Sequence, residues 1–100
     1  MVRHIVMFRF TEQATEEQIA RVISHLRTLK RDIPEVQSLL FGRDLALSPD
    51  TFGLVVQVDF SSGEDYVSYR DHPAHRQFQT ETLAPVLMAR TAVQVVLQEA

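Results

Sequence analysis

The first ten residues alternate so that apolar side chains fall on both faces of a strand. One face carries Val2, His4, Val6, Phe8 and Phe10, and the other carries Arg3, Ile5, Met7 and Arg9. Alternation with a period of two in β-branched and aromatic residues predicts a β-strand. Because isoleucine and methionine are unfavourable in water, the second face also needs cover, and this requirement constrains the fold of the whole chain.

A helix is predicted directly after this strand. Thr15 stands before Glu16, Glu17 and Gln18 in the pattern of a capping box. Apolar residues then recur at helical spacing, at Ile19, Val22, Ile23, Leu26 and Leu29. The pair Ile33-Pro34 ends the helix, because the residue before a proline is pushed out of helical backbone space. His25 is predicted to lie on the surface of this helix.

The remaining elements give the order β-α-β-β-α-β. We predict a strand over 36–47 with a bulge at Gly42, a strand over 52–60, and a short helix that includes Tyr66 and Tyr69. A helix of about three turns begins at Pro73 and stops at Pro85, and the last strand covers 91–98. This order predicts a single α+β domain over 1–100, with a ferredoxin-like four-stranded antiparallel sheet and both helical segments on one side.

The opposite side of the sheet is left without cover. The clean apolar face of the last strand, with Thr91, Val93, Val95 and Leu97, is predicted to lie under the helices. The uncovered face then carries Ile5, Met7, Val55 and Val96, together with Gln57 and Gln94. The chain has no further element to cover it, so we predict a homodimer in which two sheets close a dimeric α/β barrel.

Composition excludes several functional classes. The net charge of −3 argues against a nucleic-acid partner or a basic membrane surface, and no apolar stretch approaches the length of a membrane span. With no cysteine there is no disulfide or thiolate metal site, and we expect a cytoplasmic location. RNA-recognition motifs share the element order, but the outer face here offers Val55 and Gln57 instead of stacking aromatics.

Four segments form a recognisable pattern: RHIVMFRF, IPEVQSLLFG, VVQVDFSS and YRDHPAHRQF. In their order and spacing they resemble the stress-response A/B barrel family (Dabb), over essentially the whole chain. The most specific part is the Tyr-x-x-His-Pro-x-His cluster formed by Tyr69, His72 and His75. The resemblance implies a dimeric barrel and an association with stress response, whereas most members of the family have no assigned activity.

The same cluster supplies the candidate catalytic residues. An imidazole exchanges protons near neutral pH, and a neighbouring phenol can donate a hydrogen bond. Plant members that cyclise polyketide chains use the residues matching His75 and Tyr69 and keep a histidine at His4, so the resemblance implies an aldol-type ring closure. At Leu54 this sequence departs from those members, which have another histidine. The structural alternative makes His72 a turn or cap residue, His75 a packing residue with one hydrogen bond, and His4 a partly buried histidine satisfied by a backbone carbonyl.

An apolar cavity is predicted beside His4. The predicted ligand-binding residues are Val6, Phe8, Leu54, Val56, His72 and Phe78. Two hypotheses follow: a small cyclase, isomerase or lyase acting on a hydrophobic carbonyl compound, or a non-catalytic protein whose cavity is filled or holds a small hydrophobic ligand. An open pocket of roughly 300 Å³ or more beside His75 favours the enzyme, and a filled one favours the binding protein.

Neither hypothesis requires a cofactor. His4, His72 and His75 lack the cysteine or adjacent carboxylate that would complete a tetrahedral metal site. In some members of the family, backbone carbonyls where the first helix ends bind Mg²⁺, and the resemblance places these at Lys30, Ile33 and Val36. Carbonyl ligands leave no side-chain signature in a sequence, so this site rests on the resemblance alone.

Overall fold

The computed structural model describes all 100 residues of the chain. The strands are β1 Val2–Phe10, β2 Ser38–Arg43, β3 Leu54–Phe60 and β4 Leu87–Val95. The helices are α1 Glu16–Asp32, α2 Gly63–Asp71 and α3 Pro73–Gln77, and α3 continues into a π-helical turn Phe78–Leu83 and a 3₁₀ turn Ala84–Val86.

The four strands form one antiparallel sheet in the order β2-β3-β1-β4. Strand β2 follows helix α1 and strand β4 follows the later helical segments, and these two strands lie at opposite edges of the central pair β3-β1. This is the predicted ferredoxin-like arrangement, and it is confirmed.

Helix α1 begins and ends where its local signals predict. The Thr15 hydroxyl accepts a hydrogen bond from the Gln18 backbone N–H (3.1 Å), and the Gln18 side chain accepts one from the Thr15 N–H (2.9 Å). The helix ends at Asp32, and Ile33 is extended, as the following proline requires. The capping box and the stop at Ile33-Pro34 are confirmed.

The core lies between the helices and one face of the sheet. The buried residues of β1 and β3 alternate along each strand and pack against the buried stripe of α1, the α2 residue Tyr69 and the π-turn residue Phe78. The fully buried members include Val22, Leu29, Val58 and Phe60. All helical segments thus cover one side of the sheet, as predicted from the crossover rule.

Strand β2 is shorter than predicted. It covers Ser38–Arg43 instead of 36–47, and a long loop, 44–53, connects it to β3. In this loop Ala46 and Asp50 adopt positive φ angles of 56° and 61°, which no strand contains. The predicted bulge at Gly42 is wrong, because β2 pairs with β3 in unbroken register; the irregularity lies between Arg9 and Phe10 of β1.

Strand β4 begins four residues earlier than predicted, and the prediction for its two faces is wrong. Gln94 pairs with His4 and therefore faces the helices, whereas Val93 pairs with Ile5 and Val95 pairs with Arg3 on the open side. The register of β4 with β1 therefore turns Val93 and Val95 to the uncovered face, whereas Leu87 at the start of the strand packs against the core. Val96, predicted on the open face, follows the end of the strand.

The open face is consequently more apolar than the sequence suggested. Its centre is formed by two adjacent rows of residues, Val93-Ile5-Gln57-Leu40 and Thr91-Met7-Val55-Gly42. Met7 and Val55 are 38% and 39% exposed, Val93 is 48% exposed and Leu40 is 60% exposed. Nothing in this chain covers these residues.

The predicted three-turn helix from Pro73 is not a regular helix. Its first five residues are α-helical, and the next six form the π-helical turn Phe78–Leu83. Pro85 falls inside the short 3₁₀ turn that leads into β4. The segment thus ends near Pro85 as expected, but with one widened turn.

Candidate functional site

The three candidate catalytic residues lie together between the sheet and the helices. His4 is on the helix side of β1, Tyr69 is in the last turn of α2 and His75 is in α3; they are 2%, 3% and 7% exposed. The ring centroids of Tyr69 and His75 are 4.4 Å apart, and those of His4 and Tyr69 are 6.2 Å apart. The fold therefore brings these residues into one cluster.

A backbone carbonyl fixes the proton position on His75. The Nδ1 atom of His75 lies 3.1 Å from the carbonyl oxygen of Arg70, and a carbonyl can only accept a hydrogen bond. In the neutral ring Nδ1 therefore carries the proton, and Nε2 is left with a free lone pair. His75 presents a base at Nε2.

His4 is held in the opposite tautomer. The side-chain amide of Gln94 donates to Nδ1 of His4 at 2.8 Å, so the proton of the neutral ring is on Nε2. His4 thus presents a donor where His75 presents an acceptor. The Nε2 atoms of both rings and the Tyr69 hydroxyl have no hydrogen-bond partner in the chain, and none of them is sealed from solvent.

Burial keeps all three groups uncharged at neutral pH. Burial, together with the neighbouring Arg90 and His75, lowers the pKa of His4 to about 4. Burial also lowers the pKa of His75, against the effect of the Arg70 carbonyl, and raises the pKa of Tyr69 well above its ordinary value. The cluster can therefore accept one proton at His75 and donate hydrogen bonds from His4 and Tyr69.

A small pocket connects these groups. Its lining consists of His4, Val6, Phe8, Leu26, Val56, Tyr69, His75, Phe78, Gln79, Leu83 and Arg90. Nine of these eleven are buried, and the two others, half-buried Gln79 and exposed Arg90, form its mouth. The volume is about 10 Å³, which is close to the space of a single water molecule. By the volume criterion given above, this closed form favours the non-catalytic hypothesis.

Four of the six residues predicted to bind a ligand line this pocket: Val6, Phe8, Val56 and Phe78. Leu54 does not, because it is buried further along β3. His72 does not line it either. Its Nδ1 accepts the Ala74 backbone N–H at 3.0 Å and caps α3, which is the structural role considered for it.

Sequence reasoning missed both residues of the mouth. Arg90 was left outside the predicted last strand; in the structure it pairs with Phe8 of β1 and projects toward the helices, like Gln94. Gln79 lies in the π-helical turn, which has no sequence signal of its own. His25, predicted at the surface, is half-buried and lies 2.6 Å from the Thr82 hydroxyl, so it packs α1 against that turn.

The end of α1 has features that suit the Mg²⁺ site implied by the resemblance. The helical partner of the Lys30 carbonyl would be Pro34 four residues later, which has no N–H to donate, whereas the Ile33 carbonyl accepts the Val36 N–H at 3.1 Å. In the same turn one carboxylate oxygen of Glu35 is buried without a hydrogen-bond partner. Oxygen donors of both kinds are those that Mg²⁺ prefers, and the site at Lys30, Ile33 and Val36 stays a prediction. No cluster of His, Cys, Asp and Glu side chains forms a metal site.

Comparison with known proteins decides the family. The model of the stress responsive A/B barrel domain (Dabb) matches residues 2–97. The chain belongs to the Dabb family. No helix of this Dabb chain is both long enough and apolar enough to cross a membrane.

Individual relatives differ in what they are described to do. A dimeric ferredoxin-like protein of unknown function from Thermobifida fusca is 36% identical with a TM-score of 0.87, covering 96% of this chain and 90% of its own. Olivetolic acid cyclase from Cannabis sativa is 29% identical over 79 residues, which are 77% of this chain and 78% of the cyclase. The hydroxynitrile lyase of Passiflora edulis is 25% identical with a TM-score of 0.87, covering 99% and 94%.

Proposed function

We propose that this Dabb chain forms a homodimeric barrel and binds one small, mostly apolar molecule in the pocket between His4, Tyr69 and His75, which must widen from its closed volume of about 10 Å³ to admit it. The observation that supports binding most strongly is the convergence of three polar groups without protein partners, the two Nε2 atoms and the Tyr69 hydroxyl, on one apolar space. Because these atoms are not sealed from solvent, water can bond to them in the free protein, and a ligand with matching polar groups can take the place of that water.

The open face of the sheet supports the dimer. The row Val93-Ile5-Gln57-Leu40 and the neighbouring pair Met7 and Val55 form a surface that is apolar except at Gln57. A second copy related by a two-fold axis would bury this surface against itself. The Thermobifida fusca relative, which is described as dimeric, has the same fold at 36% identity.

A pair of charge variants tests the dimer. Met7→Glu places a carboxylate at the centre of the open face, and we expect association on the order of 100-fold weaker because the charge would be buried without a partner. Val67→Glu is the matched control, since Val67 is 41% exposed but lies on α2, away from that face. Sedimentation at micromolar concentration should show a dimer for the wild type and Val67→Glu. A monomeric wild type would contradict the dimer.

Ligand binding is tested on the protein as purified. Native mass spectrometry should detect a small molecule that leaves on denaturation, and Phe78→Trp, which fills the pocket, should abolish its retention. Val67→Trp adds the same ring outside the pocket and serves as the control. Equal retention by both variants would contradict the assignment of the pocket.

A second candidate function is acid–base catalysis, and the opposite tautomers of His4 and His75 favour it. One ring can take a proton while the other donates a hydrogen bond to a developing oxyanion, and burial keeps both rings neutral beforehand. The similarity to a cyclase and to a hydroxynitrile lyase points to carbonyl compounds as substrates. The pocket would have to open first, by movement of Gln79 and Arg90.

For a hydroxynitrile the proposed step is balanced within the site. Nε2 of His75 takes the proton of the substrate hydroxyl, the bond to the nitrile carbon breaks with its electron pair on cyanide, and cyanide then takes the proton from His75. His75→Ala should abolish aldehyde release from an aromatic hydroxynitrile, while His72→Asn, which keeps a helix-capping side chain outside the pocket, should retain it. Unchanged release by His75→Ala would exclude this role.

A further inference from the structure

The mouth of the pocket carries an arginine without an acidic partner. Arg90 is the only formally charged side chain among the eleven lining residues. Five other arginines form ion pairs with carboxylates, and two more stack on phenylalanine rings, but Arg90 makes no ion pair, hydrogen bond or ring contact. The pocket therefore has one uncompensated positive charge at its entrance.

Nothing inside the pocket offsets this charge. The lining contains no carboxylate, and His4 and His75 are neutral at pH 7. Arg90 is close enough to the cluster that its charge disfavours protonation of both histidines. The pocket thus has a net charge of about +1, carried by an exposed guanidinium at its mouth.

We infer that the ligand of this pocket is an apolar carboxylate, and that Arg90 selects it by binding its carboxylate group at the mouth. The inference rests on the proposed function of this pocket. The planar guanidinium presents paired N–H donors that match the two oxygens of a carboxylate. A neutral ligand would leave these donors unpaired. Half-buried Gln79, the other residue of the mouth, adds a neutral side-chain amide.

The arrangement also fixes the orientation of the ligand. In the widened pocket its carboxylate lies at Arg90 on the exposed edge strand, and its apolar body points inward among Phe8, Leu26 and Phe78. The end of the ligand then lies near the Nε2 atoms of His4 and His75. The selecting charge and the acid–base groups are thus at opposite ends of one molecule.

The test uses two pairs of probes that differ only in charge: benzoate with benzamide, and hexanoate with hexanamide. Binding is followed by calorimetry and by the NMR signals of the histidine rings. We expect wild-type protein to bind each carboxylate at least 10-fold tighter than its amide. Arg90→Gln should weaken carboxylate binding about 10- to 100-fold and leave amide binding unchanged, and Arg90→Lys should restore part of the loss.

Arg21→Gln is the matched control, because Arg21 is exposed and lies in a groove beside Thr82, outside this pocket. Carboxylate binding by this variant should equal that of the wild type. Raised salt should weaken carboxylate binding by the wild type and have no effect on Arg90→Gln.

The outcomes distinguish a failure of carboxylate selection by Arg90 from a failure of the proposed binding function. Amides that bind as tightly as carboxylates, or carboxylate binding that survives in Arg90→Gln, would overturn the selection by Arg90 and leave the pocket as a binding site. If neither member of either pair perturbs the His4 and His75 signals, the binding function itself is contradicted, and this inference with it.

Discussion

Lowering the pH should destabilise this protein through His4, before its carboxylates titrate. Burial lowers the pKa of His4 from an ordinary value of 6.5 to about 4 in the folded state. Between these two pH values His4 is protonated in the unfolded chain and neutral in the folded chain, so the free energy of unfolding falls as the pH falls. Above pH 6.5 both states are neutral at this ring, and the contribution vanishes.

The size of the effect follows from the same two values. A single proton changes the free energy of unfolding by about 1.4 kcal/mol per pH unit. His4 alone would therefore lower the free energy of unfolding at pH 4.5 by about 2.5 kcal/mol relative to its value at neutral pH. The Nε2 edge of the ring faces the water-accessible pocket, which screens part of this cost, and we expect about 2 kcal/mol. His75, whose pKa burial also lowers, adds a loss of the same sign.

Urea unfolding at a fixed protein concentration, from pH 7.5 to 4.5, measures the slope. His4→Gln keeps a side chain able to bond to Gln94 but has no proton to gain, so its stability should fall by about 2 kcal/mol less than that of the wild type over this range. An NMR titration of His4 should give a pKa near 4 directly. Parallel pH profiles for the two proteins would refute the argument that the fold holds this ring neutral.

Two further predictions concern the ends of helix α1. Thr15→Ala removes the hydroxyl that accepts the Gln18 N–H and should lower the free energy of unfolding by about 1 kcal/mol in urea titrations; an unchanged value would mean that the cap contributes nothing. Millimolar Mg²⁺ should raise the melting temperature above that in NaCl of equal ionic strength, and Glu35→Gln should reduce this rise while Glu17→Gln does not. No difference between Mg²⁺ and NaCl would exclude the carbonyl site.

Local signals in the sequence were enough to predict the order of the elements and both ends of α1. The capping box at Thr15 and the stop before Pro34 each depend on contacts within a few residues, and both are confirmed. The alternation in β1 and β3 correctly gave the side chains that share a face. The helix ends and the strand alternation are predictable because both are set by backbone geometry and contacts within a few residues of sequence.

The layer that covers a face is not a local property, and the prediction for β4 went wrong there. The apolar set Val93 and Val95 looks like a core face, but the register of β4 with β1 turns it to the open side. The polar alternates Arg90 and Gln94 then face the helices, where one forms the mouth of the pocket and the other bonds to His4. A sequence pattern shows which residues share a face of a strand. Only the strand pairing shows whether that face lies against the helices or on the open side.

The strand pairing also links the proposed pocket to the proposed dimer, because both depend on the register of β1. His4 and Val6 point into the pocket, and the alternate residues Ile5 and Met7 form the centre of the open face. A shift of β1 by one residue would remove His4 from Gln94 and bury Arg3 or Arg9 among the core side chains. Burial of Ile5 and Met7 against a second copy would penalise that shift strongly. The proposed dimer therefore stabilises the strand register that places His4 opposite His75.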